Sequence, residues 1–393
     1  MNKVLVYRNS LLPNSETFIR SQVLSYRRWH GVLAGAERLP GSNLEGLTTL
    51  LLSKNRPGIG NRVFRRISEQ MGFGSPGDVA KLKREAAQIA HVHFGTDAVR
   101  IWPALRRLNI PVVVTLHGFD INIYKEWWEK GHGGWWRRTY PRRLLTMADE
   151  AKVSFIAVSE AIRQRAIEYG IPAEKISTKY IGVDVSRFTP GGRPILERKR
   201  QVLYVGRMIE KKGGDILIEA FARVRQRVPG AELVMAGDGP LFEEFNHLAR
   251  RLNVPVTFMG QVPNNDVKGQ IDESRVFCLP SITAGNGDAE GLPIVLLEAQ
   301  ACGVPVVTSA RGGATEGIEH GRTGIAFREK DVDALESALV RLLSDDTLVA
   351  QMTDLAQAYV RGRFDLRQCT AALEELYDHV SANQATTSLE LTT

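Results

Sequence analysis

A chain of 393 residues is too long for one ordinary hydrophobic core, and 43% apolar with 24% charged residues is the make-up of a soluble globular protein. Nothing approaches the roughly 18–20 consecutive apolar residues of a membrane span. The start reads as lacking a signal peptide, and three cysteines without paired spacing argue against a disulfide framework or zinc cluster, so a reducing cytoplasm fits. The net charge of +7 is uneven: residues 1–190 are net +13 and the rest net −6. A basic half points to an anionic partner, whether nucleic acid, a lipid surface or a phosphate-linked substrate.

Along the chain, short β-branched runs alternate with helical patterns, the signature of parallel βαβ sheets. In the first half the clearest strands are Lys3–Tyr7, Pro111–Leu116 and Ser154–Val158. Each ends in polar or glycine-containing sequence, the side on which open parallel sheets bind ligands. His91 and His93 fall on a further strand and are read as pointing to opposite faces, which argues against a shared metal. Residues 125–143 carry four of the six tryptophans among Lys and Arg side chains. They read either as a solvated loop and helix with Trp packed inward, or as a patch with Trp at headgroup level and cations on anionic lipid. Breaks at Gly131, Gly133 and Gly134 argue against one continuous amphipathic helix.

The segment Ser177–Asp184 closes a first domain, residues 1–188, and the Pro-, Gly- and charge-rich residues 189–200 read as a linker. A second series of strands follows at Gln201–Val205, Glu232–Met235, Val256–Met259, Val276–Leu279, Pro305–Thr308 and Gly324–Phe327, with helices such as Asp215–Val228 between them. This second domain spans residues 201–365. An amphipathic helix at 366–381 is expected to cross back to the first domain, and the polar tail 382–393 reads as flexible. Two successive doubly wound α/β domains result.

The strongest local motif is Asp288-Ala289-Glu290-Gly291-Leu292-Pro293-Ile294-Val295-Leu296-Leu297-Glu298-Ala299. A strand and glycine-rich loop lead into a helix expected to start near Leu292, with Pro293 in its first turn and Gly303 at its end. Free N–H groups at such a start bind phosphate. Glu298 lies eight positions after Glu290, roughly 12 Å along a helix axis, which suits two separate hydroxyl-binding tasks on one extended ligand. A second motif, Gly206-Arg207-Met208-Ile209-Glu210-Lys211-Lys212-Gly213-Gly214, sets cations in the turn after a strand, where they can meet phosphate oxygens. Asp331-Val332-Asp333 is read as a helix N-cap, not a metal loop. The sequence after Val4–Tyr7 lacks the G-x-G-x-x-G of a dinucleotide oxidoreductase.

These motifs, with Ala236-Gly237-Asp238-Gly239-Pro240, the E-x7-E pair, Ala301-Cys302-Gly303-Val304-Pro305-Val306-Val307 and Gly312-Gly313-Ala314-Thr315-Glu316, resemble the family-four retaining glycosyltransferases. Phe155-Ile156-Ala157-Val158-Ser159-Glu160 and Gly182-Val183-Asp184 with Arg187-Phe188 also match that family. Pro13-Asn14-Ser15-Glu16-Thr17-Phe18-Ile19 and His91-Val92-His93-Phe94-Gly95 look more narrowly like its bacterial exopolysaccharide members of colanic-acid type.

The resemblance implies a GT-B fold, two Rossmann-like domains facing across a cleft, and transfer of a sugar from a UDP- or GDP-linked donor. The acceptor would be a saccharide on polyprenyl diphosphate, or alternatively a soluble small molecule. The enzyme would work in the cytoplasm, either free or against the anionic inner face of the membrane, with no cofactor, no metal and no nucleic-acid partner. Carried over residue by residue, Arg207 and Lys212 would hold the pyrophosphate and Glu290 the transferred sugar. Gly291 and Leu292 would give N–H groups to phosphate, and Glu298 would accept from ribose hydroxyls. Gly206, Gly237 and Asp238 would shape the donor site, and Gln261 and Val262 would flank the base. His117 would face the cleft, with Ser15, Glu16, Thr17 and His93 on the acceptor side.

Overall fold

The computed structural model describes residues 1–12, 16–52 and 75–390. They form two units, Met1–Ile181 with Arg367–Thr393, and Gly182–Leu366.

In the first unit the strands are β1 (Asn2–Tyr7), β2 (Ser10–Leu11), β3 (Trp29–Gly35), β4 (Glu37–Arg38), β5 (Thr48–Leu51), β6 (Ile89–His93), β7 (Val112–Leu116), β8 (Val153–Ala157) and β9 (Ile176–Thr178). Seven of them make a parallel sheet in the order β5-β3-β1-β6-β7-β8-β9, and β2 pairs with β4. The central strands β6 and β7 are buried along their whole length, as a parallel sheet covered on both faces requires; β7 is a nearly unbroken apolar run, whereas β6 buries two histidines. From β1 the chain first winds out to β5 and then returns on the other side at β6. The gap between the carboxyl ends of β1 and β6 is therefore a topological switch point.

The helix Leu366–Glu390 completes this unit. Leu373 and Tyr377 lie in one core cluster with Val4, Trp29, Ile89 and Val113. The Glu374 carboxylate accepts from the backbone N–H groups of Arg27, Arg28 and Trp29 at 2.9, 2.8 and 3.0 Å. The Trp29 indole donates to Asp378 at 2.8 Å. The helix runs on to Glu390 where the sequence reads as a flexible tail from 382; no Gly or Pro interrupts 366–390, so nothing local ends it sooner.

The basic tryptophan segment is divided. A helix at Lys125–Glu129 sinks Trp128 fully into the core, with Trp127 edge-on at 5.0 Å. Trp135 instead stands 57% exposed and Tyr124 46% exposed.

The second unit carries β10 (Lys199–Val205), β11 (Glu232–Ala236), β12 (Val256–Gly260), β13 (Ser274–Leu279), β14 (Val306–Ser309) and β15 (Gly324–Phe327) in one parallel sheet ordered β12-β11-β10-β13-β14-β15. Its switch point lies between β10 and β13. Residues 182–200, which the sequence divides between the first domain and a linker, pack on this unit. Val183 N–H donates to Phe364 at 2.7 Å, Gly191 N–H to the Asp272 carboxylate at 3.0 Å, and Arg193 pairs with Glu273 at 3.2 Å. Their Pro and Gly content marks irregular backbone, and these contacts tie that backbone down. At Asp331 the carboxylate accepts from Ala334 N–H, so this aspartate is a helix N-cap.

Candidate functional site

At the second switch point two loops carry the charged residues of both donor motifs. The loop after β10 brings Lys211 and Lys212, and the loop after β13 brings Asp288 and Glu290. Lys212 Nζ lies 2.6 Å from Glu290 Oε1, Lys211 Nζ lies 3.0 Å from Asp288 Oδ1, and Ser281 Oγ donates to Glu290 at 3.1 Å. Burial opposes the charge on Glu290, but Lys212 and Lys211 outweigh it and hold the carboxyl down to about 2. The loop after β13 is clamped further, with Gly285 N–H on Glu210, Thr283 N–H on Glu329, and Ile282 N–H on the Lys211 carbonyl. Arg207 is exposed, and its guanidinium makes no hydrogen bond among the described residues.

Close approach of the β10 and β11 turns depends on Gly237. Its φ is +140°, and a Cβ there would stand 1.9 Å from the Gly206 carbonyl oxygen. Asp238 beside it is exposed and accepts from Gly239 N–H at 2.7 Å. Gln261 and Val262 follow the edge strand β12, two places from the switch point.

The helix after the glycine-rich loop begins at Ile294, with Pro293 as its N-cap, two residues later than the sequence indicates. Proline fixes its own φ but needs no helical ψ, so it serves as the flanking residue here. Gly291 and Leu292 are buried in the turn before the helix, and Glu298 sits just over one turn inside it. Gly303 follows the helix with φ +74°, as its expected end requires. Burial pushes the Glu298 carboxyl up to about 7, with Arg187 opposing, and that carboxyl has no hydrogen-bond partner among the described residues.

The first unit gathers a second cluster at its own switch point. Arg8, just after β1, is gripped through two nitrogens by Glu16 at 2.7 Å each and by Asp97. Burial alone would weaken the guanidinium's hold on its proton, but Glu16 and Asp97 outweigh that and raise its pKa. Glu16 is thereby engaged on Arg8, and Thr17 opens the helix Thr17–Leu24. Ser15 lies outside the described residues. Phe94 follows β6 with φ +73°, under the Arg8 guanidinium at 4.5 Å. Sequence reasoning missed Arg8 and Asp97; the signal was an Arg in the loop following the first strand.

Next to these stand three imidazoles. His91 and His93 are on the same face of β6, with ring centroids 4.4 Å apart. The expectation of opposite faces is wrong because strand side chains alternate with period two, so i and i+2 coincide. His91 meets Tyr377 through Nδ1 and Thr115 through Nε2. His93 Nδ1 is 3.1 Å from His117 Nε2. Asp120, another residue missed, accepts from the N–H groups of Gly95, His117 and Gly118 at 2.8, 3.0 and 2.9 Å and so fixes the turn carrying His117. Burial holds all three imidazoles in the neutral form, with His91 down to about 3.

Comparison with known proteins bears on both units. Residues 188–359 match the model for glycosyl transferases group 1, and residues 52–187 the model for glycosyltransferase family 4. The amylovoran biosynthesis glycosyltransferase AmsK of Erwinia amylovora is 33% identical over 309 residues, covering 76% of this chain and 72% of that protein. The chain belongs to the family-four glycosyltransferases. Another relative is the GDP-mannose-dependent alpha-(1-6)-phosphatidylinositol monomannoside mannosyltransferase of Mycolicibacterium smegmatis, 32% identical over 343 residues, with 81% and 84% of the two chains covered. Among solved structures, Alr3699/HepE of Anabaena in complex with UDP-glucose aligns at a TM-score of 0.78 and 22% identity over 96% of this chain and 100% of that one. That likeness places this glycosyltransferase in the GT-B fold class.

Proposed function

We propose that this glycosyltransferase moves a sugar from a nucleoside diphosphate onto a lipid-linked saccharide in bacterial surface-polysaccharide synthesis, with retention at the anomeric carbon and without a metal. The carrying observation is the paired lysines and carboxylates at the β10–β13 switch point. An ammonium has three donors, so Lys212 can hold Glu290 and still meet a phosphate oxygen. Arg207 supplies a second cation, and the N–H groups of Gly291 and Leu292 add neutral donors. As the acceptor oxygen bonds to the anomeric carbon, the bond to the diphosphate breaks. The leaving phosphate takes the acceptor's proton, and the cations absorb its charge. A relative named for amylovoran biosynthesis supports the polysaccharide setting, a GDP-mannose-dependent relative named for phosphatidylinositol monomannoside supports a lipid-linked acceptor, and a neighbour bound to UDP-glucose supports a nucleotide-sugar donor. The test is a screen of UDP- and GDP-sugars with polyprenyl-diphosphate-linked saccharides, reading the anomer of the product. An inverted product, or activity abolished by EDTA and restored by magnesium or manganese, overturns the reading.

Glu298 gives this proposal a pH signature. Accepting from two ribose hydroxyls requires the ionised carboxylate, and its pKa is raised to about 7. Nucleoside-diphosphate affinity should therefore rise about tenfold between about pH 6 and about pH 8. Glu298→Ala should lose that component and bind about 1–3 kcal/mol more weakly. Calorimetry giving equal affinities for wild type and variant at both pH values rejects the ribose role. Stability runs the other way. This group's contribution is full below its unfolded pKa of about 4.5 and is lost as pH rises through about 7.

A cytoplasmic, peripheral location follows from a lipid-linked acceptor. Among the described residues no helix is long and apolar enough to cross a membrane. Exposed Trp135, with exposed Arg138 and Arg142, offers a surface contact, each cation adding about 1 kcal/mol near anionic lipid. Sedimentation with anionic vesicles should drop several-fold for Trp135→Ser with Arg142→Ser, leaving nucleotide binding intact. Equal sedimentation of the two proteins removes the segment as an anchor.

A further inference from the structure

The histidine pair in the first unit has one feature the proposed reaction does not use. His93 is 1% exposed, and its Nε2 has no hydrogen-bond partner among the described residues. Its other nitrogen, Nδ1, is the one 3.1 Å from His117 Nε2. His117 is half-buried, and its Nδ1 makes no hydrogen bond among the described residues. The His117 ring is held by Phe94 at 4.3 Å and Phe18 at 5.3 Å, and its backbone N–H by Asp120.

Two neutral imidazoles sharing one contact can place the proton in two ways. If His117 donates from Nε2, His93 carries its proton on Nε2, a buried N–H with nothing to accept it. If His93 donates from Nδ1, its Nε2 is only a bare lone pair. A buried donor left unmade costs more than an under-used acceptor, and orphaned N–H groups are the rarer of the two in folded proteins. The second arrangement is favoured.

We propose that His93 is a positioning residue that fixes the tautomer of His117, with the His117 proton on Nδ1. His117 then presents a hydrogen-bond donor, not a base, to whatever oxygen lies beyond it. This rests on the sugar-transfer reading above and deepens it. A proton leaving an acceptor hydroxyl does not go to His117, and the stabilised species is an oxygen that gains negative character or a sugar hydroxyl accepting a bond.

The test reads the proton directly. Histidine side-chain ¹⁵N spectra of the full chain, assigned with His93→Asn and His117→Asn, should show a protonated Nδ1 and a bare Nε2 for both residues near neutral pH, with no substrate present. An Nε2-protonated His117 in the wild type overturns the proposal. In His93→Leu the His117 signal should move toward the Nε2-protonated form. His93→Asn, whose amide can donate from near the position of Nδ1, should restore the wild-type signature. Turnover should fall about tenfold in His93→Leu with donor KM unchanged, the worth of one ordinary hydrogen bond in the transition state, and recover in His93→Asn. Should His93→Leu fail to fold, the wild-type spectrum still decides the tautomer. If that spectrum is as expected but His117→Ala turns over normally, the tautomer stands and the role of His117 in transfer fails.

Discussion

Lys212→Ala should cut kcat by 10²- to 10³-fold, the size of effect seen when one well-aimed charge or donor is removed from a developing anion. In the resting protein Lys212 pairs with Glu290, and it stands where the loops of the switch point meet. Removing it takes away the cation proposed for the departing diphosphate and the main partner of a buried carboxylate. Glu290 keeps Ser281 and the more distant Lys211, so its pKa should climb from about 2 toward ordinary values. The acid limb of the rate profile should then move to higher pH. Folding stability should change by no more than about 2 kcal/mol, because water can reach the exposed edge of the site. Lys212→Arg should recover part of the rate. Turnover within twofold of wild type in Lys212→Ala would show that the diphosphate is held elsewhere.

The second large effect is on stability. Glu374→Ala should destabilise the first unit by about 3 kcal/mol. The carboxylate is 2% exposed and takes three backbone N–H groups at the turn into β3, among them the buried N–H of Trp29. Each donor left without a partner costs about 1–3 kcal/mol when water cannot replace the acceptor, and water reaches at least part of this turn. Glu374→Gln keeps a carbonyl oxygen at the same place and should cost less. Denaturant unfolding followed by Trp fluorescence, with hydrogen exchange at residues 27–29, measures both. A loss below about 1 kcal/mol in Glu374→Ala, with those amides still protected, contradicts this role.

Much of the second unit was legible in the sequence because its information is local. Each strand is a short apolar run, and Lys212, Glu290 and Gly237 sit in motifs whose spacing is set by one turn or one loop. The Lys211–Asp288 pair was not singled out, since nothing in a sequence says which of two adjacent lysines faces which acid. In the first unit the decisive contacts join distant residues. Arg8 meets Asp97, Asp120 holds Gly95, and Glu374 closes a turn almost 350 positions earlier, at Arg27. No periodicity encodes such pairs. The resemblance implies an acceptor-side place for Glu16; that its carboxylate grips Arg8 is a contact only the fold discloses. The histidines are a different kind of miss. Their period-two spacing already put them on one face, and the misreading hid a cluster that β6 had spelled out.

The return of the last helix has a consequence for how the chain is made. Residues 1–181 leave the ribosome first, yet the residues that cover Trp29 and meet His91 lie beyond 366 and emerge only after the whole second unit has been synthesised. The second unit is an uninterrupted stretch of chain, free to fold as soon as it is out. At about 5–20 residues per second, the 185 residues of Gly182–Leu366 take roughly ten to forty seconds to add. Through that interval the first sheet must wait with part of its core open, and a nascent-chain chaperone would find its binding site there, on the half of the protein that was made first.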